Sequence, residues 1–253
     1  MIGWLSRPRE RAEAKAPALP AGTRLYAVGD IHGCVDLLRA LSQLIHEDAY
    51  RRQAPRNVIV YLGDFIDRGP DSRGVIETLL NEPLPGFESH HLRGNHEDIM
   101  LRFLSDTSVG SSWLNFGGRE TLQSYGVEAP APYAPAAEMQ RAQHELQLRL
   151  PPAHLDFLRR LDVSHGEGDY FFAHAGVRPG VPLDQQRDED MLWIRDEFLR
   201  SDASFGRIVV HGHSITREPD VRKNRIGIDT GAFASNRLTA LVAEGTEWFF
   251  LQT

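Results

Sequence analysis

The stretch Leu25-Tyr26-Ala27-Val28-Gly29-Asp30-Ile31-His32-Gly33 runs from a short apolar segment into a polar cluster closed by glycines. A second stretch has the same build: Val58-Ile59-Val60-Tyr61-Leu62-Gly63-Asp64-Phe65-Ile66-Asp67-Arg68-Gly69. Apolar runs of this length, bounded by glycine, read as buried strands at Leu25–Val28 and Val58–Leu62. Between them Leu37, Leu38, Leu41, Leu44 and Ile45 form one apolar helical face. A third cluster, Arg93-Gly94-Asn95-His96-Glu97, follows a weaker strand at Ser89–Leu92. Asp30 to Asp64 is 34 residues and Asp64 to Asn95 is 31, the length of a strand–helix–strand unit. Successive strands of such units are parallel, so all three clusters gather at the carboxyl edge of one α/β sheet, where such sheets bind ligands.

Outward from this core the pattern continues. Val75, Ile76, Leu79 and Leu80 mark a second helix, with Asp71 or Ser72 available as its N-cap. Tyr170–Ala173, Ile208–Val210 and Ile226–Ile228 read as further strands, and the first two run into Ala173-His174-Ala175-Gly176 and His211-Gly212-His213-Ser214. Leu238–Val242 and Trp248–Leu251 flank Glu244-Gly245-Thr246 and read as a closing hairpin. Residues 104–162 read as a mostly helical cap region, broken by an Ala/Pro-rich irregular loop at 129–137. Residues 1–23 lack apolar periodicity and read as a flexible tail, leaving 24–253 as one domain.

The glycines let a strand end turn sharply and aim a side chain. The polar residues they aim are carboxylates, imidazoles and one amide, a donor set suited to divalent Mn, Fe or Zn rather than Ca. Three such groups hold one ion, and a shared carboxylate bridges to a second ion held by an amide and two imidazoles. Ions paired in this way, roughly 3.5–4 Å apart, clamp the oxygens of an in-line phosphoryl displacement.

The blocks Gly-Asp-Ile-His-Gly, Gly-Asp-Phe-Ile-Asp-Arg-Gly and Arg-Gly-Asn-His-Glu resemble the phosphoprotein phosphatase branch of the calcineurin-like metallophosphoesterases. The resemblance runs from about Tyr26 to the end, and it is closest to small bacterial and bacteriophage Ser/Thr protein phosphatases. Three softer segments agree with it: Trp113-Leu-Asn-Phe-Gly-Gly, Leu122-Gln-Ser-Tyr-Gly and Leu192-Trp-Ile-Arg-Asp-Glu-Phe198. It implies a four-layer α/β/β/α sandwich with two mixed sheets. It also implies that Asp30 and His32 bind the first metal, that Asp64 bridges, and that Asn95, His174 and His213 bind the second. His96 is then the general acid, oriented by Asp67, and Arg68 and Arg195 bind the phosphate. The implied reaction is direct hydrolysis of a phosphomonoester by a hydroxide shared between two divalent ions, Mn being favoured over Fe or Zn. A symmetric bis(5'-nucleosyl)-tetraphosphatase is the main alternative, although its third block more often ends in Asp where this chain has Glu97.

Composition bounds the partners. The formal net charge is -7, and residues 1–24 carry five Lys/Arg against two acids. The body is therefore acidic and offers nucleic acid or an anionic membrane no general attraction, so a phosphorylated protein or small phosphoester needs a local positive site. The run Met1–Leu5 is too short for a signal-peptide core and no apolar stretch has spanning length, so a cytoplasmic protein is expected. The single cysteine, Cys34, reads as a bystander. His46, His90, His91, His144, His154 and His165 lie outside the matching blocks and read as ordinary surface or core histidines, as does His211. Glu97 reads as a support for the site, Asp71 as a helix cap, and Trp113 and Trp193 as packing residues. Arg93 is left between a phosphate and a carboxylate partner.

Overall fold

A computed structural model describes residues 16–131 and 134–253. In chain order its elements begin with β1 (Thr23–Val28), α1 (Val35–Arg52), β2 (Arg56–Tyr61), α2 (Ser72–Asn81), β3 (Phe87–His91) and α3 (Asn95–Phe103). A helical segment follows: α4 (Gly110–Trp113), α5 (Arg119–Ser124), α6 (Ala136–Arg149) and α7 (Pro152–Arg159). The remainder is β4 (Ser164–Glu167), β5 (Tyr170–Ala173), α8 (Asp188–Trp193), α9 (Asp196–Leu199), β6 (Ile208–His211), β7 (Asp220–Val221), β8 (Arg225–Gly227), α10 (Ala232–Ser235), β9 (Thr239–Glu244) and β10 (Glu247–Gln252).

The strands form two mixed five-stranded sheets, ordered β10-β9-β1-β2-β3 and β4-β5-β6-β8-β7. In the first, β1, β2 and β3 are parallel, with Leu25 opposite Val58 and Val60 opposite His90. In the second, β5, β6 and β8 are parallel, with β4 and β7 antiparallel at the edges.

Alternation along the strands builds the layers. On β1, Tyr26 and Val28 face a core shared with Leu38, Leu41 and Ile45 of α1 and Val75 and Ile76 of α2. Leu25 and Ala27 face the other way, into a core shared with Tyr170, Phe172, Val210 and Ile226 of the second sheet. Phe171 and Val209 point outward against Met191, Ile194 and Phe198 around α8 and α9. Side chains of period two thus separate helix, sheet, sheet and helix into four layers, as the resemblance implied.

Several boundaries differ from expectation. β1 and β2 start two residues early, because their mutual ladder extends to Thr23 and Arg56. β4 and β7 were not anticipated. Ser-His-Gly-Glu has no apolar alternation, and it becomes a strand by pairing with β5 across the turn at Gly168-Asp169. α6 takes in Ala136 and Ala137 from the end of the expected loop, whose Pro132 and Tyr133 lie outside the described residues. Of the expected tail, residues 1–15 also lie outside them. Residues 18 and 19 are tied to the body: Leu19 is buried and donates its N–H to Gly245 O, and Ala18 N donates to Asp169. Asp71 caps α2 by accepting from Gly74 N at 2.7 Å. No helix among the described residues is long and apolar enough to cross a membrane.

Candidate metal centre

The parallel strands of both sheets end at one edge. There a Cβ built on Gly29, just after β1, would lie 2.6 Å from Ile228 O, just after β8. The loops leaving this edge are bent hard. Five of the seven non-glycine residues with positive φ among the described residues are His32, Asp64, Asp67, Arg68 and His213. Left-handed backbone costs an ordinary residue free energy, and it persists where surrounding structure enforces it.

Glu97 is the main enforcer in the first sheet. From the first turn of α3 its carboxylate accepts from Asp64 N (2.9 Å), Phe65 N (2.8 Å), Ile66 N (3.3 Å) and Gly94 N (2.8 Å). The second block is thereby pinned onto the third. Gly94 permits the approach, since a Cβ there would lie 2.0 Å from Asp64 Oδ1. Gly212 plays the same part across the site, where a Cβ would lie 1.9 Å from Asp30 Oδ1.

Two imidazoles share one arrangement. His32 Nδ1 lies 2.8 Å from Ile66 O, and His174 Nδ1 lies 2.9 Å from Leu62 O. A carbonyl only accepts, so each Nδ1 carries the hydrogen and each Nε2 turns a lone pair inward. His174 Nε2 then faces Asn95 Oδ1 at 2.9 Å and Asp64 Oδ2 at 3.3 Å, while His213 Nδ1 lies 2.8 Å from the same Asn95 oxygen. His32 Nε2 faces Asp64 Oδ2 at 3.5 Å. Lone pairs from two sides thus converge on Asp64, all of them buried. A cation satisfies such a set, and a neutral core does not.

Electrostatics differ between the rings. Burial pushes His32 down to about 3 and His213 down to about 2, keeping both rings neutral. At His174 burial opposes the cation, but the Asp64 carboxylate outweighs it and raises the ring. Asp64 is buried too, yet His174 and His96 hold it well below the usual carboxylate range. Asp30 is raised by burial and by the charges of Asp229 and Asp64.

The side chains whose ligand atoms draw together are His32, Asp64 and His96 on one side, and Asp64, His174 and His213 on the other. Asp30 is not in the first group; its two oxygens accept from His213 N at 3.2 and 3.0 Å. His96 is in that group by proximity, but both its ring nitrogens have other partners. Nδ1 lies 2.6 Å from Asp67 Oδ2, and Nε2 accepts from Arg68 Nη2 at 3.1 Å. We therefore keep Asp30 as the candidate donor beside His32, because among the described residues no cationic side chain is bonded to its buried charge. His211, by contrast, stays out of the centre. Its Nδ1 is 3.0 Å from Gly212 O and its ring edge packs on Phe198 at 5.0 Å.

Asp67 is wholly buried and held from several sides, with Trp113 Nε1 donating at 2.9 Å and Thr121 Oγ1 donating to its other oxygen. Trp113 is thus more than the packing residue expected, and the Trp-Leu-Asn-Phe-Gly-Gly segment was its only sequence signal. Arg68 N donates to Gly117 O at 3.1 Å, and its guanidinium lies 4.9 Å from the Phe233 ring centroid. Arg195 is exposed at the rim and its charge acts on His213; among the described residues it makes no side-chain hydrogen bond. Arg93 reaches the backbone oxygens of Arg159 and Leu161, and among the described residues it bonds no carboxylate. Burial pushes the Cys34 thiol up to about 11, consistent with a bystander.

Comparison with known proteins agrees with this geometry. A family model described as calcineurin-like phosphoesterase matches residues 23–234. Serine/threonine-protein phosphatase 1 of Salmonella typhimurium is 30% identical over 243 residues, covering 93% of this chain and 98% of that protein. An asymmetrical bis(5'-nucleosyl)-tetraphosphatase of Oceanobacillus iheyensis is 28% identical over 240 residues, covering 86% and 87%. Among solved structures, a cold-active protein tyrosine phosphatase superposes with a TM-score of 0.59 at 16% identity, covering all of this chain and 88% of its own, a likeness of fold. With the match spanning β1 to α10 and the clustered donors lying inside it, the chain belongs to the calcineurin-like phosphoesterases.

Proposed function

We propose that the chain is a metal-dependent phosphomonoesterase acting on phosphoserine and phosphothreonine in proteins. The observation that carries the reading is the adjacency of two devices. One is the lone-pair cluster of Asp64, Asn95, His174 and His213; the other is the Asp67–His96–Arg68 chain beside it. The first sheet's Asp30 and His32 with Asp64 would hold one divalent ion, and Asp64, Asn95, His174 and His213 the other, Mn being our favoured metal. When bound, such ions lower the pKa of water and neutralise charge on phosphoryl oxygens.

The chain's own groups do the rest. Arg68, half-buried, and Arg195, exposed, grip the phosphate. Arg68 now donates to His96 Nε2. A phosphate that draws the guanidinium to itself frees Nε2 to carry a proton. Burial opposes that cation, but the Asp64 and Asp67 carboxylates outweigh it and raise His96. Nε2–H then faces the leaving oxygen as a general acid, with Asp67 fixing the ring through Nδ1. We also propose that the helical segment at 104–162 acts as a cap on one catalytic domain, since Trp113, Gly117 and Thr121 reach Asp67 and Arg68 from it. A cytoplasmic setting fits the absence of a spanning helix among the described residues.

A second reading is dinucleoside-tetraphosphate hydrolysis. It is favoured by the tetraphosphatase relative and by two exposed rings, Phe116 and Phe233, that neighbour Arg68 and offer faces for a base. The test is a panel run on metal-stripped protein resupplied with Mn, Fe or Zn. Phosphoserine, phosphothreonine and phosphotyrosine peptides are compared with diadenosine tetraphosphate, and nucleotide products are resolved. Preference for the serine and threonine peptides supports the first reading. Faster release of ADP alone, or of AMP with ATP, replaces it with a symmetric or an asymmetric tetraphosphatase.

A further inference from the structure

Three donors at this edge stand at equivalent positions. Asp30 lies two residues past the end of β1, His213 two past β6, and Asp229 two past β8. The first two belong to the proposed metal pair. Asp229 sits in Asp-Thr-Gly, an ordinary turn sequence, and is 1% exposed. Its Oδ1 accepts from Gly231 N at 2.9 Å, which accounts for the turn. Its Oδ2 is buried and has no hydrogen-bond partner among the described residues.

The surroundings make that orphan oxygen costly. The charge of Asp229 acts on Asp30 more strongly than that of Asp64 does, and Asp64 acts in turn on Asp229. Three buried carboxylates therefore act on one another, although the oxygens of Asp229, like those of Asp30, lie outside the two tight groups of ligand atoms around Asp64. Asp64 has imidazoles beside it and Asp30 has a backbone donor, whereas the free oxygen of Asp229 has neither. A buried carboxylate without a partner destabilises a fold, and protein interiors keep one where a cation answers it. The loop could have kept its turn with asparagine, which offers Gly231 the same acceptor without the charge.

We infer that Asp229 is a further residue of the metal site, its Oδ2 carboxylate contributing to the ion held by Asp30, His32 and Asp64. This rests on the two-metal reading above and adds a fourth carboxylate or imidazole group to the first ion. The two loops do meet: a Cβ built on Gly29, next to Asp30, would lie 3.6 Å from Asp229 N.

The test uses Asp229→Asn in the full chain, stripped of metal and titrated with Mn²⁺ alone by calorimetry, beside thermal melts of both proteins without metal. The expected result is two Mn²⁺ per wild-type chain, with one of the two bound about 10–100-fold more weakly in Asp229→Asn, the cost typical of a group supporting a metal site. Metal-free Asp229→Asn should melt no lower than metal-free wild type, because an unfavourable charge is gone and the bond to Gly231 N is kept. Equal Mn²⁺ affinities in the two proteins overturn the inference while leaving the metal pair standing. So does a metal-free variant that melts several degrees lower or does not fold, since the carboxylate would then be a structural group. Wild-type protein that binds no Mn²⁺ overturns both.

Discussion

On the first sheet's side of the site, Asp30, Asp64, Asp67, His96 and Glu97 each share a hydrogen bond and His32 is anchored through Nδ1; on the second sheet's side several buried atoms have no partner among the described residues. The unpartnered atoms there include His211 Nε2, His213 Nε2, Ser214 Oγ, Thr216 Oγ1 and Asp229 Oδ2. The first sheet reaches the edge through strands joined by the regular helices α1 and α2, and Glu97 bonds four backbone N–H groups there. The second reaches it through strands of three or four residues, with no helix longer than six residues between β5 and β6. One half of the site is thus clasped by backbone hydrogen bonds as folded, and in the other more buried side-chain atoms await a partner. The lesson is that half a metal centre can be preorganised by backbone hydrogen bonds while its counterpart is organised by the ligand itself.

The largest expected effect breaks the proton-delivery chain on the preorganised side. His96→Asn should lower kcat on a phosphoserine peptide by ~10²–10⁴-fold with both ions retained. Loss on p-nitrophenyl phosphate should be much smaller, because p-nitrophenolate leaves without a proton. Equal losses on the two substrates remove the general-acid role. Next comes the clasp itself. Glu97→Ala strands four buried N–H donors and should cost at least ~3 kcal/mol of stability in urea melts, whether or not metal is present. A cost that vanishes in metal-free protein would mean that the first half is not preorganised.

The histidine pair tests the ligand-organised side. His213→Ala should weaken one ion by at least ~10-fold, while His211→Ala keeps both and loses only packing against Phe198. The reverse outcome moves the last donor back by two residues. The smallest effect belongs to Arg68→Ala, which should raise KM and weaken competitive inhibition by inorganic phosphate about tenfold. Unchanged phosphate inhibition argues against contact.

The same contrast explains what could be read in the sequence. Asp30, Asp64 and Asn95 were legible because glycine-flanked clusters recur at a strand–helix–strand interval, a local pattern with a topological consequence. His174 and His213 were legible from the resemblance of their blocks, which put His213 ahead of His211; the ring geometry sets His213 at Asn95 and His211 on Phe198. β4 and β7 were hidden because edge strands of polar residues exist only through their partners. Asp229 and the Trp113–Asp67 bond were hidden for a related reason. Each depends on segments far apart in sequence meeting at one edge, which periodicity along the chain does not encode.

The central claim is that Asp64 joins two ions at the meeting of the sheets. Metal content per chain, measured by mass spectrometry of Mn²⁺-reconstituted wild type and Asp64→Asn after gel filtration, tests it most directly. The account predicts two ions in the wild type, and in Asp64→Asn fewer than two with more than ~10²-fold loss of phosphatase activity. One ion per wild-type chain, or two ions held undiminished by Asp64→Asn, would contradict it.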